Sequence, residues 1–425
     1  MLPRGMRDFP PEIAILRKDV FSRLEKVFQR FGFDPLETPI VELWETLKGK
    51  YGTEAENKLI YTFKDRWGGK ELALRYDLTV PLARFISENP GIPLPFKRYA
   101  IGRVYRHERP QRGRYREFYQ CDVDIVGAPG PEADAEILSV IGTVMKEFKL
   151  PGYTIKVNDR RLLSGIFEKK LGIKRNLLAV YRAIDKVEKL GWGAVREELK
   201  QLIPASKVSM IKDIIDIRGG PEDVMERVGD EFGDVPEVKE ALEHLGEMLK
   251  LAGKINVKLD LSMVRGLDYY TGPIFETVVK SPRIGSITGG GRYDGLLGSY
   301  GVNLPATGTT IGVERLIDAG IELKLFRKAK SVTQAYVVDL GVKEYAWRVA
   351  AALRGEGVNT RTDLLGRNWK KQAEEAKKLG VRFLVIVGKK ERSAGKVTVV
   401  DRETDRKLLV SLVEAAQRIK SLSRA

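Results

Sequence analysis

Apolar side chains recur at spacings of three and four over residues 11–31. Ile13, Leu16, Val20, Leu24, Val27 and Phe31 thereby share one face of a predicted helix, which Gly32 ends. Beyond it the period shortens to two. Residues 58–64, 71–77, 98–106 and 115–126 read as strands. In the last of these, Tyr119, Cys121, Val123 and Ile125 share the face expected to be buried. Phe118, Gln120, Asp122 and Asp124 share the other.

From 162 to 251 strand signals give way to helical runs at 176–190, 194–203 and 238–251, and strands return at 256–263 and 274–279. After the basic linker Arg327-Lys328-Ala329-Lys330, strands at 334–339, 358–363, 381–387 and 397–401 alternate with helices at 345–354, 368–379 and 413–421. Such alternation predicts an α/β domain with largely parallel strands. The expected organisation is a sheet-based domain over 1–325, a helical insertion within it at 162–253, and the α/β domain over 331–425.

Composition narrows the chemistry. No apolar run approaches the ~20 residues that span a bilayer, and no signal-like stretch opens the chain, so a cytoplasmic protein without a membrane partner is expected. A single cysteine, Cys121, excludes an intrachain disulfide or a multi-cysteine metal site, and His107 and His244 are too few for a His-rich one. No metal site made by the protein alone is expected. A required ion would be magnesium, held by carboxylates and substrate phosphates. The net charge is +16, and residues 331–425 carry 20 Lys and Arg against 11 Asp and Glu. That excess favours nucleic acid as a partner, although a thermophile-like surface gives a similar balance.

The densest chemistry lies at 97–116, where Lys97, Arg98, Arg103, Arg106, Arg109, Arg112, Arg114 and Arg116 face the lone acid Glu108. Two strand patterns flank this stretch, predicting an antiparallel hairpin with a cationic loop. Beside it, Phe118, Gln120 and Asp124 suit a ligand carrying both polyphosphate and amine; a solvated edge hairpin with surface ion pairs is the alternative. Residues 265–272 (Arg-Gly-Leu-Asp-Tyr-Tyr-Thr-Gly) leave a strand pattern and set Tyr269 and Tyr270 on opposite sides of an extended chain. They read equally as a glycine-bounded turn with one tyrosine in the core. Consecutive glycines at 289–291 precede Arg292 and Tyr293, and Arg315 follows Gly312 in the first turn of a predicted helix, where anions are favoured. Neither a P-loop nor a dinucleotide fingerprint occurs. Asp77 joins a strand to a helix and reads as a helix-start carboxylate or as the receiver of a substrate amine. Both histidines are expected to be structural, His244 merely on a helix face.

In this order the segments resemble a class II aminoacyl-tRNA synthetase of the histidyl-tRNA synthetase family. Residues 106–118 resemble the second class signature, 312–316 the third, and Pro39 the proline of the first, which in the family lies at a dimer interface. Residues 265–272 resemble the peptide peculiar to histidine-specific members. The resemblance spans essentially the whole chain. It implies an α+β catalytic domain built on an antiparallel sheet flanked by helices, an inserted helical domain at the tRNA acceptor arm, and a C-terminal α/β anticodon-binding domain. It further implies a homodimer that consumes ATP with Mg2+, activates L-histidine and charges histidine tRNA. Arg106 would bind the α-phosphate, Glu108 the adenine amino group and Arg114 the terminal phosphates, with adenine between Phe118 and Arg315. Arg265 would stabilise charge at the α-phosphate. Asp77, Thr79 and Gln120 would hold the amino acid's backbone end, and Asp124 and Tyr270 its imidazole, with Tyr269 and Tyr293 close by. Asp124 stands where some members carry the longer Glu, which implies a longer or water-borne reach to the ring. The loop with Arg109, Gln111 and Arg112 would meet the tRNA acceptor end. A non-catalytic paralogue, a regulatory subunit of histidine biosynthesis or a tRNA sensor, is the alternative; regulatory subunits typically lack the basic last domain and carry degraded signatures.

Overall fold

The hairpin predicted around the cationic loop forms the middle of the main sheet. A computed structural model describes residues 1–51, 56, 58–111, 113–264, 270–282, 284–326 and 328–423. After a helix at Pro11–Arg30 come strands β1 (Asp34–Pro35), β2 (Val41–Leu43), β3 (Thr62–Lys64), β4 (Glu71–Leu74), β5 (Phe96–Tyr105), β6 (Glu117–Val126) and β7 (Tyr153–Asp159). Strands β8 (Val257–Leu259), β9 (Pro273–Val279), β10 (Thr288–Arg292) and β11 (Ala306–Ile311) follow a helical stretch. They form an eight-stranded sheet in the order β1-β5-β6-β11-β10-β9-β7-β8, with β2-β4-β3 as a separate small sheet. Pairing in the large sheet is antiparallel except at β1–β5 and β7–β8.

One face of β10, β11 and β6 is covered by helix Pro131–Glu147. Proline at its start and the acids Glu132 and Asp134 in its first turn suit a helix N-terminus, and Ile137, Leu138, Ile141, Val144 and Met145 form its buried stripe. Between β7 and β8 the chain is helical, closing with Ala205–Ile215, Pro221–Phe232 and Pro236–Ala252. The helix expected at 176–190 stops at Ile184 and restarts at Val187, and Gly191 at φ 77° breaks the second piece. Strand content near 58–64 is shorter than expected, being confined to Thr62–Lys64.

His244 does more than occupy a helix face. From Pro236–Ala252 its Nε2 lies 2.7 Å from the buried Asp134 carboxylate, which also receives Arg292 Nη2 at 2.7 Å and Nε at 3.0 Å. Arg292 further donates to the carbonyls of Ala128 and Gly130. This network ties the last inserted helix to the end of β10. Helical periodicity identified the face but could not supply the partner, which is 110 residues away in sequence.

The chain divides into two compact units, Met1–Arg7 with Val20–Phe326 and Asp8–Asp19 with Arg327–Ala425. The first half of the first helix therefore groups with the second unit, whereas periodicity alone had placed it in 1–325. In that unit β12 (Ala335–Asp339), β13 (Thr360–Thr362), β14 (Phe383–Val387), β15 (Val397–Asp401) and β16 (Arg406–Val410) form a sheet in the order β13-β12-β14-β15-β16. Only half of its pairings are parallel, because β15 and β16 add an antiparallel edge. Strand β16 escaped prediction: Arg406, Lys407, Leu408 and Leu409 are all exposed and show no alternation.

Removing Asp134 would strand the Arg292 guanidinium in the core. Asp134→Ala is expected to cost about 3–5 kcal/mol, read as a lower midpoint of thermal unfolding; an unchanged midpoint would show the network to be dispensable.

Candidate active site

Glycines leave part of the main sheet bare. Gly289 pairs with Thr310, Gly291 with Gly308, and along β6 Asp122 and Asp124 stand opposite Thr310 and Gly308, so all these positions share one face. Each bare position has its own reason. A Cβ on Gly308 would overlap the Asp124 carboxylate, and one on Gly291 would come within 2.9 Å of the Tyr270 ring. Over Gly289 a Cβ would meet nothing within 4 Å. Gly289 instead borders a cavity of about 1360 Å³, large enough for a nucleotide and a second small molecule, which Thr310, Gln120, Phe118 and Tyr270 also line.

Arg106, Glu108, Arg114, Phe118, Glu314 and Arg315 also line this cavity. The Arg106 guanidinium carbon lies 4.3 Å from the Tyr76 ring centre and 5.2 Å from that of Phe118, and its Nε donates to the Tyr76 carbonyl at 3.2 Å. Two aromatic rings and a carbonyl thus fix a cation whose remaining N–H groups can meet an anion. Glu108 lies 3.7 Å from Arg114 and its carbonyl accepts from Arg116 Nε, which ties the hairpin loop together. Arg315, in the first turn of helix Val313–Glu322, donates from Nη1 to the Ser286 carbonyl at 2.7 Å. Next to it Glu314 pairs with Arg7 at 2.9 Å, and Arg7 covers the Tyr115 ring.

Asp77 lines the same cavity. Its Oδ1 accepts from the backbone N–H groups of Thr79 and Val80 and from the Tyr51 hydroxyl at 3.0–3.1 Å. The helix-start reading and the cavity position therefore coexist in one side chain. Burial raises the Asp77 pKa, opposed by these hydrogen bonds and by Arg106. Gln120 Nε2 donates to the Thr310 hydroxyl at 3.2 Å. Tyr270 has its phenol pKa driven well up, first by burial and then by the charges of Asp124, Asp122 and Asp77, so the hydroxyl stays protonated.

The second face of β6 was expected to be either a ligand face or a solvated one, and it is not solvated. Gln120, Asp122 and Asp124 are all buried. Asp77, Thr79, Arg106, Glu108, Arg114, Phe118, Gln120, Tyr270 and Arg315 meet on one cavity. Asp124 and Tyr293 do not line it; the Tyr293 hydroxyl donates to Asp124 within the wall. Arg109 and Gln111 are exposed on the hairpin loop, away from the lining. Arg265, Tyr269 and Arg112 lie outside the described residues. The lining also includes Lys50, Tyr51, Arg182 and Lys186, which sequence reasoning missed. Lys50 and Tyr51 sit in no motif, and Arg182 and Lys186 belong to the helical stretch, whose periodicity announced only a core.

Residues 5–316 match the family described as histidyl-tRNA synthetase, and residues 331–422 match an anticodon binding domain. A histidine–tRNA ligase of Aeropyrum pernix is 54% identical over 425 residues, covering 99% of this chain and 98% of its own. The crystal structure of a histidyl-tRNA synthetase from Nostoc sp. superposes with a TM-score of 0.88 at 29% identity, covering 99% of both chains. A Bacillus halodurans structure described as an ATP phosphoribosyltransferase regulatory subunit/histidyl-tRNA synthetase shares the fold, with a TM-score of 0.76 at 22% identity over 91% of this chain and 98% of that one.

Because nothing opposes a side chain at Gly289 except cavity, Gly289→Leu is expected to fold with an unchanged melting midpoint and to weaken ligand binding about 100-fold or more. Calorimetric titration with histidine and with ATP checks this; undiminished binding of both would show that neither ligand lies over this strand.

Proposed function

The chain belongs to the histidyl-tRNA synthetase family, and on that premise we propose how its cavity activates histidine. It is a ligase that joins histidine to its tRNA at the expense of ATP. In the first step the histidine carboxylate attacks the α-phosphorus of ATP, and the bond to pyrophosphate breaks. The substrate itself is the nucleophile, so the protein's task is to align two anions and stabilise the added phosphate charge. That explains a site rich in arginine with no Ser–His or Cys–His pair.

The observation that carries this reading is the meeting of Arg106, Arg114 and Arg315 with Asp77 and Gln120 on one cavity whose floor is bare at Gly289. Arg106, held by Tyr76 and Phe118, binds the α-phosphate, and Arg114 takes the terminal phosphates. Adenine lies between Phe118 and Arg315, with Glu108 on its amino group. Asp77, Thr79 and Gln120 hold the amino acid's backbone end, Tyr270 turns a donor toward the imidazole, and Asp124 with Tyr293 acts from within the wall. Arg265 stabilises the α-phosphate as the carboxylate attacks, and Tyr269 belongs to the histidine-binding set. An imidazole selected by carboxylate and phenol leaves those groups unpaired with any other side chain, which discriminates by ~10⁴ or more.

Among the described residues no three carboxylate, histidine or cysteine side chains gather as a metal site. A magnesium ion would be held mainly by phosphate oxygens, with Glu314 among the carboxylates that line the cavity. When bound, the ion neutralises the departing pyrophosphate. The helical insertion at 162–253 meets the acceptor arm, the loop with Arg109, Gln111 and Arg112 its end, and the basic 331–425 domain the anticodon. The region of Pro39 forms a homodimer contact, and the enzyme works in the cytoplasm. Among the described residues no helix is long and apolar enough to cross a membrane. The arginine set and the basic last domain weigh against a non-catalytic paralogue, with which the fold alone is shared.

Labelled pyrophosphate is expected to exchange into ATP with histidine and with none of the other nineteen amino acids, in the absence of tRNA. Exchange with a different amino acid would discard the imidazole assignments. Arg265→Ala should abolish the exchange without lowering the melting midpoint; full activity in that variant would remove Arg265 from the mechanism.

A further inference from the structure

A buried charge cluster continues the cavity-lining face of Gln120 and Thr310 into the sheet. Arg98 on β5 stands opposite Asp124 on β6, and Asp122 lies between Asp124 and Gln120 on the same face. Arg98, Asp122 and Asp124 are 1%, 1% and 3% exposed. Arg98 Nη2 lies 2.8 Å from Asp124 Oδ2 and donates to the Leu78 carbonyl at 3.1 Å. Tyr293 donates to the other oxygen of Asp124.

These bonds leave the cluster incomplete. Asp122 takes the Thr310 hydroxyl and Asp124 Oδ2 the Arg98 guanidinium, but Arg98 Nε, the remaining acceptor capacity of Asp122 and Gln120 Oε1 stay buried without a partner. Buried polar atoms are nearly always satisfied, so an unmet group of acceptors calls for a donor from outside the chain. With both carboxylates ionised, two negative charges share one guanidinium. The next cation facing Asp122 is Arg75, whose own N–H groups already reach the carbonyls of Arg103 and Thr38. The other groups facing the pair are Asp77, the Tyr270 and Tyr293 phenols and the Thr310 hydroxyl. None of these removes the negative excess.

We propose that Arg98 and Asp122 are positioning residues of the histidine pocket. The guanidinium fixes the Asp124 carboxylate, and the second carboxylate keeps the cluster short of donors and of positive charge. An imidazole, which brings an N–H and can bring a charge, completes it. Apolar or carboxylate side chains do not. The proposal rests on the reading above that Asp124 serves the imidazole end. Burial pushes the Asp122 carboxyl up to about 7, opposed by Arg98 and reinforced by Asp124. Asp124 is raised as well, so the proton taken up near neutrality is shared by the pair, and the difference between Asp122 and asparagine narrows as pH falls.

The test is histidine-dependent pyrophosphate exchange, with KM for histidine and for ATP measured across pH 6–8 and melting midpoints recorded. Asp122→Asn should raise the histidine KM about tenfold or more above pH 7, the loss of one charge-assisted contact, and leave the ATP KM within about twofold. Relative to the parent enzyme, which cancels the titration of free histidine, the effect should shrink toward one as pH falls below 7. Arg98→Lys, which keeps the charge but not the planar fork, should raise the histidine KM less than the pair Arg98→Met/Asp122→Asn does. The pair Arg98→Met/Asp122→Asn removes one cation and one anion together, so it is expected to fold where Arg98→Met does not, and still to lose histidine selectively. Folded variants with an unchanged histidine KM, or with both KM values rising in step, would overturn the proposal. Asp124→Asn separates the two levels. If it leaves the histidine KM unchanged, the reading of the pocket fails; if it alone raises that KM, the role of Arg98 and Asp122 fails.

Discussion

A sheet that seats a nucleotide must leave part of one face unpacked without letting it collapse, and the register of β6, β11 and β10 meets that constraint. Thr310 opposite Gly289 and Asp122 sets a short side chain where a long one would fill the space. Gly291 and Gly308 are bare for a different purpose, since the Tyr270 ring and the Asp124 carboxylate lie over them. A slip of one residue would turn every one of these groups to the helix-covered side. On that side the same strand carries Arg292, locked by Asp134 and by the carbonyls of Ala128 and Gly130. The polar lock beneath and the open floor above are thus two consequences of one register.

Charge is handled differently at different places around the cavity. Arg106 is held by rings and a carbonyl rather than by a carboxylate, so its charge remains available to phosphate. Asp77 is held by two helix N–H groups and a phenol, and keeps its exposure to the cavity. Beyond them Arg98 faces two carboxylates in a nearly dry wall, where an uncompensated charge weighs far more than at the surface.

Much of the site was legible in the chain. The arginines Arg106, Arg114 and Arg315 stood out in the chain as candidates for an anionic ligand, and the glycines at 289–291 as a place where a ligand or strand could approach closely; the structure brings all but Gly290 and Gly291 to one cavity. The alternation in β6 separated its two faces correctly but not their environments. Gln120, Asp122 and Asp124 read as polar and therefore as exposed or ligand-facing, whereas the structure buries them. Periodicity reports which residues share a face; it carries no information about what a second element brings against that face. For the same reason His244 gave no sign of Asp134, and Arg182 and Lys186 gave none of the cavity they border.

By itself the sequence determined many of the element types, the helical stretch between β7 and β8 and the basic α/β end of the chain, since these depend on local periodicity and composition; the reaction class came from the resemblance of its short signature segments to a known family. Tertiary structure alone decided that the first half of the first helix joins the second unit, that Asp124 sits in the wall rather than on it, and that Arg98 is its counter-charge. The last two depend on pairing residues far apart in the chain, Arg98 with Leu78 and Asp124, and Asp124 with Tyr293, and such pairings exist only once strand register is set.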